Sequence, residues 1–162
     1  MLDVLIGNYN QKNQLLLNDI NGNYTDAIDL PGGNMFTTSI VAADVNGDRM
    51  VDIIIGNSGQ NNQLLLNDGN GNYTEAVDLP GGAMYTLSIA VAEINGDGMV
   101  DIVIGNSDQN NQVLLNDGSG SYSEAIDLPG GARDTNSITA ADVNGDGMVD
   151  ILIGNLFKND EV

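Results

Sequence analysis

Apolar residues in this chain come in short runs of β-branched and aliphatic side chains, each bounded by a cluster of Asn, Asp and Gly. Ser39-Ile40-Val41-Ala42-Ala43, Ile53-Ile54-Ile55 and Leu64-Leu65-Leu66 are representative. Runs this short, with turn residues at both ends, predict strands rather than helices. The pattern also recurs. The Gly of an Ile-Gly-Asn triplet falls at Gly7, Gly56, Gly105 and Gly154, always 49 residues apart. The chain therefore divides into units 3–51, 52–100 and 101–149 and a partial unit 150–162, within one repeat domain spanning 1–162.

Each unit carries four strand candidates. Strand A is Ser39–Ala43, and a polar loop leads from it into strand B, Val51–Ile55. The linker Gly56–Asn62 leads to strand C, Gln63–Leu66, and a turn Asn67-Asp68-Gly69-Asn70-Gly71 supplies the residues that tolerate φ > 0. Strand D, Asn72–Val77, alternates like an edge strand with one wet face. Leu79-Pro80-Gly81-Gly82 closes the unit, and all three prolines occupy this position. Four short strands repeated at this period predict an all-β fold, a β-propeller built from four-stranded antiparallel blades. A β-solenoid and a string of separate hairpins are the alternatives; a solenoid needs a shorter period and seldom holds three reversing turns.

The loop between strands A and B carries the candidate chemistry. In Asp142-Val143-Asn144-Gly145-Asp146-Gly147-Met148-Val149-Asp150, oxygen-bearing side chains stand at positions 1, 3, 5 and 9, with Gly at position 6. Asp142, Asn144, Asp146 and Asp150, with the carbonyl of Met148, suit a hard cation such as Ca²⁺. An EF-hand would need a Glu at position 12 and flanking helices; position 12 is Ile153, inside a strand-like run. The second loop offers Glu93, Asn95, Asp97, the carbonyl of Met99, and Asp101, the longer Glu replacing the first Asp. The first offers Asp44, Asn46, Asp48, the carbonyl of Met50, and Asp52, but has Arg49 where Gly belongs. Up to three Ca²⁺ per chain are expected, with affinity falling from third loop to second to first. Ordinary Asp/Asn turns have no need of acids at positions 1, 5 and 9 in every copy, and close carboxylates without a cation repel one another.

Charge sharpens this picture. Asp and Glu number 23 against 4 Lys and Arg, for a formal net charge of −19. Such a surface repels phosphate backbones and anionic membranes, so nucleic acid is not expected as a partner. No apolar run approaches the roughly 18 residues of a membrane span, so no insertion is expected. The chain has no Cys and no His, which excludes thiolate sites and the commonest general base. Met1-Leu2-Asp3 lacks a secretory signal pattern and starts inside a strand-like run, as expected of a piece of a longer array or an engineered repeat.

The pattern Ala-Asp-Val-Asn-Gly-Asp-Gly-Met-Val-Asp-Ile-Leu-Ile-Gly-Asn, with Leu-Leu-Asn-Asp-Gly-x-Gly-x-Tyr, resembles the FG-GAP/VCBS repeats of integrin α-chain propellers and many secreted microbial proteins. The resemblance covers the whole chain. It implies calcium in the A–B loops, an extracellular parent and a binding or adhesion role. The Phe-Gly and Gly-Ala-Pro marks of the family are replaced here by Ile-Gly-Asn and Leu-Pro-Gly-Gly.

The expected function is that of a non-enzymatic calcium-binding scaffold recognising protein or glycan. The units differ most after Leu-Pro-Gly-Gly and after Ile-Gly-Asn, at connections expected on the face opposite the calcium loops. That face carries Tyr9, Phe36, Tyr85 and Arg133, residue types enriched in binding hot spots; drift of unconstrained loops is the alternative. A carboxylate-pair, glycan-active hydrolase is a second function, but the acids recur in every unit instead of gathering at one place. Three blades cannot close a ring, because propellers close with about 4–8. The chain is therefore expected to pair with itself, as a homodimer of six blades in which residues 3–8 and 150–155 compete for one strand position.

Overall fold

The computed structural model describes residues 3–156, in which fourteen strands follow the 49-residue period. The first unit holds β1 (Val4–Ile6), β2 (Tyr9–Gln11), β3 (Gln14–Leu16) and β4 (Ile28–Asp29). The second holds β5 (Met35–Ala43), β6 (Asp52–Gln60), β7 (Gln63–Leu65) and β8 (Val77–Asp78). The third holds β9 (Met84–Ala92), β10 (Asp101–Asn106), β11 (Gln112–Leu114) and β12 (Ile126–Asp127), and β13 (Thr135–Ala141) and β14 (Asp150–Asn155) follow. Among the described residues the fold is all-β, and every strand pairing is antiparallel.

Strands β5 to β8 form a four-stranded meander, and β9 to β12 repeat it in the same register. Ile54 pairs with Val41 and Leu64 in one unit, as Val103 pairs with Ala90 and Val113 in the next. The two ends are partial: β1, β3 and β4 make a three-stranded sheet, and β13 and β14 pair only with each other. Short ladders tie successive units, Tyr9 opposite Phe36 and Ser58 opposite Tyr85. Among the described residues no sheet closes on itself.

Three sequence expectations are corrected. Strand A is longer than Ser39–Ala43, because the divergent residues from Met35 onward belong to β5. A one-residue register shift between Thr37 and Ser39, repeated between Thr135 and Ser137, makes a bulge inside that strand. Strand B of the second unit runs through the supposed linker to Gln60, where it pairs with β9. Strand D shrinks to Val77–Asp78; the chain ahead of it makes an isolated bridge, Asn67 with Tyr73. The Asn/Asp/Gly turn is simply wider than its glycines alone indicate.

The unbroken Ile53-Ile54-Ile55 run has a packing reason. Ile53 and Ile55 face one core cluster with Leu15, Leu30 and Leu65, while Ile54 faces another with Ile89, Ile102, Ile104 and Leu114. A strand covered on both faces has no polar side to display. Each buried Ile contributes on the order of 1.5–3 kcal/mol. Gly56 follows because neighbouring units approach closely there: an added Cβ would lie 3.0 Å from both Ile89 Cδ1 and Thr86 Cγ2.

Candidate functional site

The three A–B loops share one hydrogen-bonding plan. In the third loop, Asp142 Oδ1 accepts the Gly145 N–H at 2.7 Å and Oδ2 accepts the Gly147 N–H at 2.8 Å. Asn144 Oδ1 accepts the Asp146 N–H, and Asp146 Oδ1 accepts the Met148 N–H. These N–H groups hold the Asp142 carboxyl below its usual range, Gly147 contributing most. In the first loop Asp44 accepts from Gly47 and Arg49, both at 2.8 Å, and Asp48 accepts from Met50. In the second, Glu93 Oε1 accepts from Gly96 and Asp97, so the longer side chain engages the turn one residue early.

Position 6 takes the left-handed backbone expected of it, with φ of 84° at Gly98 and 85° at Gly147. Arg49 adopts it too, at 70°, in a region that costs a residue with a Cβ about 1–2 kcal/mol.

Position 9 has a structural task. Asp52 is fully buried; its Oδ2 accepts the Val45 N–H at 3.0 Å and its Oδ1 the Asn67 N–H at 2.9 Å, in the turn between β7 and β8. Asp101 does the same with Ile94 and Asn116. This carboxylate ties the loop to the neighbouring turn. Burial pushes the Asp52 carboxyl up, N–H donation from Asn67 and Val45 opposes that, and the charges of Asp48 and Asp44 add to the rise.

The donors at Asp44, Asn46, Asp48, Met50 and Asp52, and at their counterparts, are all hard oxygens, which fits a cation of the Ca²⁺ type. Each carboxylate oxygen that accepts one N–H retains a second lone-pair direction. Among the described residues, no three His, Cys, Asp or Glu side chains converge into a metal cluster by themselves. A cation would thus draw on the amide of Asn46 and the carbonyl of Met50 as well as on acids.

The polar cluster around Asp68, read from sequence as a hairpin turn, behaves as one. Asp68 Oδ1 accepts the N–H groups of Asn70 and Asn72, and Gly69 and Gly71 take φ of 84° and 85°.

At the opposite end of the units lies a network that the sequence reading passed over as linker. Thr37 donates to Asn57 Oδ1, and Asn57 N–H donates to Asn62 Oδ1. Asn62 Nδ2 donates to Thr86 Oγ1, which donates to Asn106 Oδ1. Asn106 N–H donates to Asn111 Oδ1, Asn111 Nδ2 to Thr135 Oγ1, and Thr135 to Asn155 Oδ1. From Thr37 to Thr135 these side chains are buried. The signal was visible: Thr, Asn and Asn return at every period, and the bulge in strand A aims the Thr at its partners.

The four residues of the expected ligand face lie at this same end, at successive junctions. Tyr9 and Phe36 stack with centroids 4.6 Å apart and planes 18° apart. The same cross-strand position holds Ser58 with Tyr85 at the next junction, and Ser107 bonded to Asp134 at the third, where Arg133 stands opposite Gln109. Tyr9, Tyr85 and Arg133 are exposed. They form three separate stations, and only Tyr9 and Phe36 touch.

The FG-GAP-like repeat model matches residues 1–55, 44–104 and 93–153. No curated protein matches the chain. Successive matches overlap at the A–B loops, residues 44–55 and 93–104, where one four-stranded unit passes into the next. With the period, the strand order and this coverage in agreement, the chain belongs to the FG-GAP-like repeat family.

Proposed function

We propose that the chain is a calcium-dependent, non-enzymatic β-propeller module whose A–B loops hold Ca²⁺ as structural ions. The opposite face presents variable side chains to a protein or glycan ligand, in an extracellular setting. The observation that carries this reading is the threefold recurrence of one oxygen-rich loop, with a left-handed residue at position 6 each time. Asp142, Asn144, Asp146, Met148 and Asp150 would hold the ion of the third loop. The ion would neutralise carboxylates that otherwise repel one another on a chain of net charge −19.

The variable face supports the binding role. Polar spine and cation loops are kept from unit to unit, whereas the junction position changes from Tyr9/Phe36 to Ser58/Tyr85 to Ser107/Asp134. Blades of this kind close into a ring of about 4–8, so the three units of this chain are read as half of a six-bladed ring.

Thermal melting with and without calcium tests the reading. A ligand that binds only the native state stabilises it by about 2.7 kcal/mol at one hundred times its dissociation constant. The melting temperature is expected to fall in excess EDTA and to recover with added calcium. A curve unchanged by EDTA, with no residual metal in the sample, would sink the calcium reading.

A further inference from the structure

The contact between successive units repeats inside the chain and then stops. Gly32, in the turn leaving the first unit, sits under Gln63 of the second: an added Cβ would lie 2.5 Å from Gln63 Oε1 and 3.3 Å from Ala76 Cβ. Gly81 meets Gln112 and Ala125 in the same way, at 2.7 and 3.3 Å. Gly130, the third copy, has nothing within 4 Å. The space beside it is a cleft of about 690 Å³ lined by Pro129, Gly130, Arg133, Ile153 and Asn155, among others.

The strand bordering that cleft is open as well. Leu152 occupies the position of Ile54 and Val103, and Ile153 that of Ile55 and Ile104. The internal copies are at most 1% exposed and are paired with β7 or β11; Leu152 and Ile153 are 39% and 37% exposed.

We propose that β14 is completed by β3 and β4 of a second copy of this chain, the pairing being reciprocal. The occupant follows from continuing the internal interface by one step. The register of Ile53, Ile54 and Ile55 against Leu65, Leu64 and Gln63 becomes Ile151, Leu152 and Ile153 against the partner's Leu16, the partner's Leu15 and the partner's Gln14. The partner's β3 is already paired with Val4, Leu5 and Ile6 of its own β1, which β14 displaces residue for residue. One strand replaces its equivalent, so the pairing changes little. The exchange gains the burial of Leu152, Ile153 and the cleft, against the release of the displaced Val4, Leu5 and Ile6.

The exchange also completes the cation loops, and here the inference rests on the calcium-loop reading above. Asp150 Oδ2 holds Val143 N–H at 3.0 Å, as Asp52 holds Val45. The second N–H, given to Asp52 by Asn67 and to Asp101 by Asn116, comes to Asp150 from the partner's Asn18, which within one copy donates to Asp3 at 2.8 Å. Asn116 Nδ2 also covers Val45 O of the first loop at 2.7 Å, leaving Val45 1% exposed. The partner's Asn18 is the equivalent cover for Ile94 of the second loop.

Two variants test this. The chain has no Cys, so Leu16→Cys with Ile151→Cys places a pair that can meet only across copies. Within one copy Leu16 faces Val4, and Ile151 faces Ala140. Directly opposed antiparallel residues lie about 4.5–5.5 Å apart at Cα, within disulfide range. Oxidation is expected to give a closed covalent dimer on a non-reducing gel; a monomer, or a ladder of higher multimers, overturns the proposal. Gly154→Val leaves one copy unhindered, since its nearest neighbour is Ser137 at 3.6 Å. In the exchanged dimer Gly154 takes the place of Gly7, whose added Cβ would lie 3.0 Å from Thr37 Cγ2 and 3.2 Å from Ile40 Cδ1. Light scattering is expected to fall from twice 17.0 kDa to 17.0 kDa with the strand circular-dichroism signal kept. A variant that remains dimeric, or a parent already monomeric at micromolar concentration, overturns it. Cross-linking is run with calcium and with EDTA: a disulfide formed equally in both, beside a melting curve blind to EDTA, removes the calcium reading and leaves the strand exchange standing.

Discussion

Asn62 donates from Nδ2 to the hydroxyl oxygen of Thr86 at 3.0 Å, across the junction between two units and out of reach of solvent. The same hydroxyl donates onward to Asn106 Oδ1, so one Thr satisfies a buried donor on one side and a buried acceptor on the other. A polar spine of this kind leaves units a single way to dock, because any slip strands several groups without partners.

Thr86→Val keeps the shape and removes the hydroxyl, leaving Asn62 Nδ2 and Asn106 Oδ1 unpaired. At about 1–3 kcal/mol for each buried orphan, the expected loss is on the order of 2–6 kcal/mol. Thr74→Val, at an exposed site, is expected to change stability by less than about 0.5 kcal/mol. Urea unfolding of both variants checks this; equal midpoints would refute the spine's role.

Arg49→Gly relieves the left-handed strain of about 1–2 kcal/mol, against roughly 0.4–1 kcal/mol of added chain entropy in the unfolded state. A net gain of about 0.5–1 kcal/mol is expected without calcium. Calorimetry is expected to show tighter calcium binding at the first loop once the nearby positive charge is gone. A destabilised variant, or unchanged heats, would contradict the loop geometry.

Part of the acid sensitivity should map to the turns between the third and fourth strands. Asp19 and Asp68 are held below their ordinary value of 3.8 chiefly by the N–H groups of Asn23 and Asn70, and Asp117 by the Ser119 side chain. A depressed carboxyl stabilises the fold above pH 3.8, and its contribution is lost as pH falls through the lower folded value. Melting temperature in EDTA is therefore expected to drop below about pH 4. The drop should be shallower in Asp68→Asn with Asp117→Asn, whose amide oxygens still accept N–H bonds; an equally steep drop would assign acid sensitivity elsewhere.

Much of this was legible in the sequence, because close repetition makes each signal appear several times. The period, the strand-loop-strand flanks of the A–B loops, and the left-handed demand at Arg49 all follow from residue type and spacing. The lengths of strands A and D did not. Met35 and Phe36 are replaced by Arg133 and Asp134 in the third unit although the backbone at this position makes the ladder to the preceding unit, while Thr37 beside them is kept because its side chain belongs to the spine. Asn72–Val77 alternates like a strand, yet Asp68 and Asn67 hold that segment as a wide turn. The Asn/Thr spine escaped notice because Asn near Gly is the ordinary mark of a turn, and only tertiary contact shows these residues buried. Asp52, Asp101 and Asp150 looked like pure ion ligands, whereas their tie to the position-2 N–H is a folding contact in its own right.

Native mass spectrometry of the 162-residue chain, with calcium and after chelation, tests the central claim most directly, since subunit number and bound ions are read from one spectrum. In calcium the expected species is two chains of 17.0 kDa carrying up to three ions each, with ions lost and the dimer weakened after chelation. A single chain of 17.0 kDa that binds no ion under either condition would contradict the account.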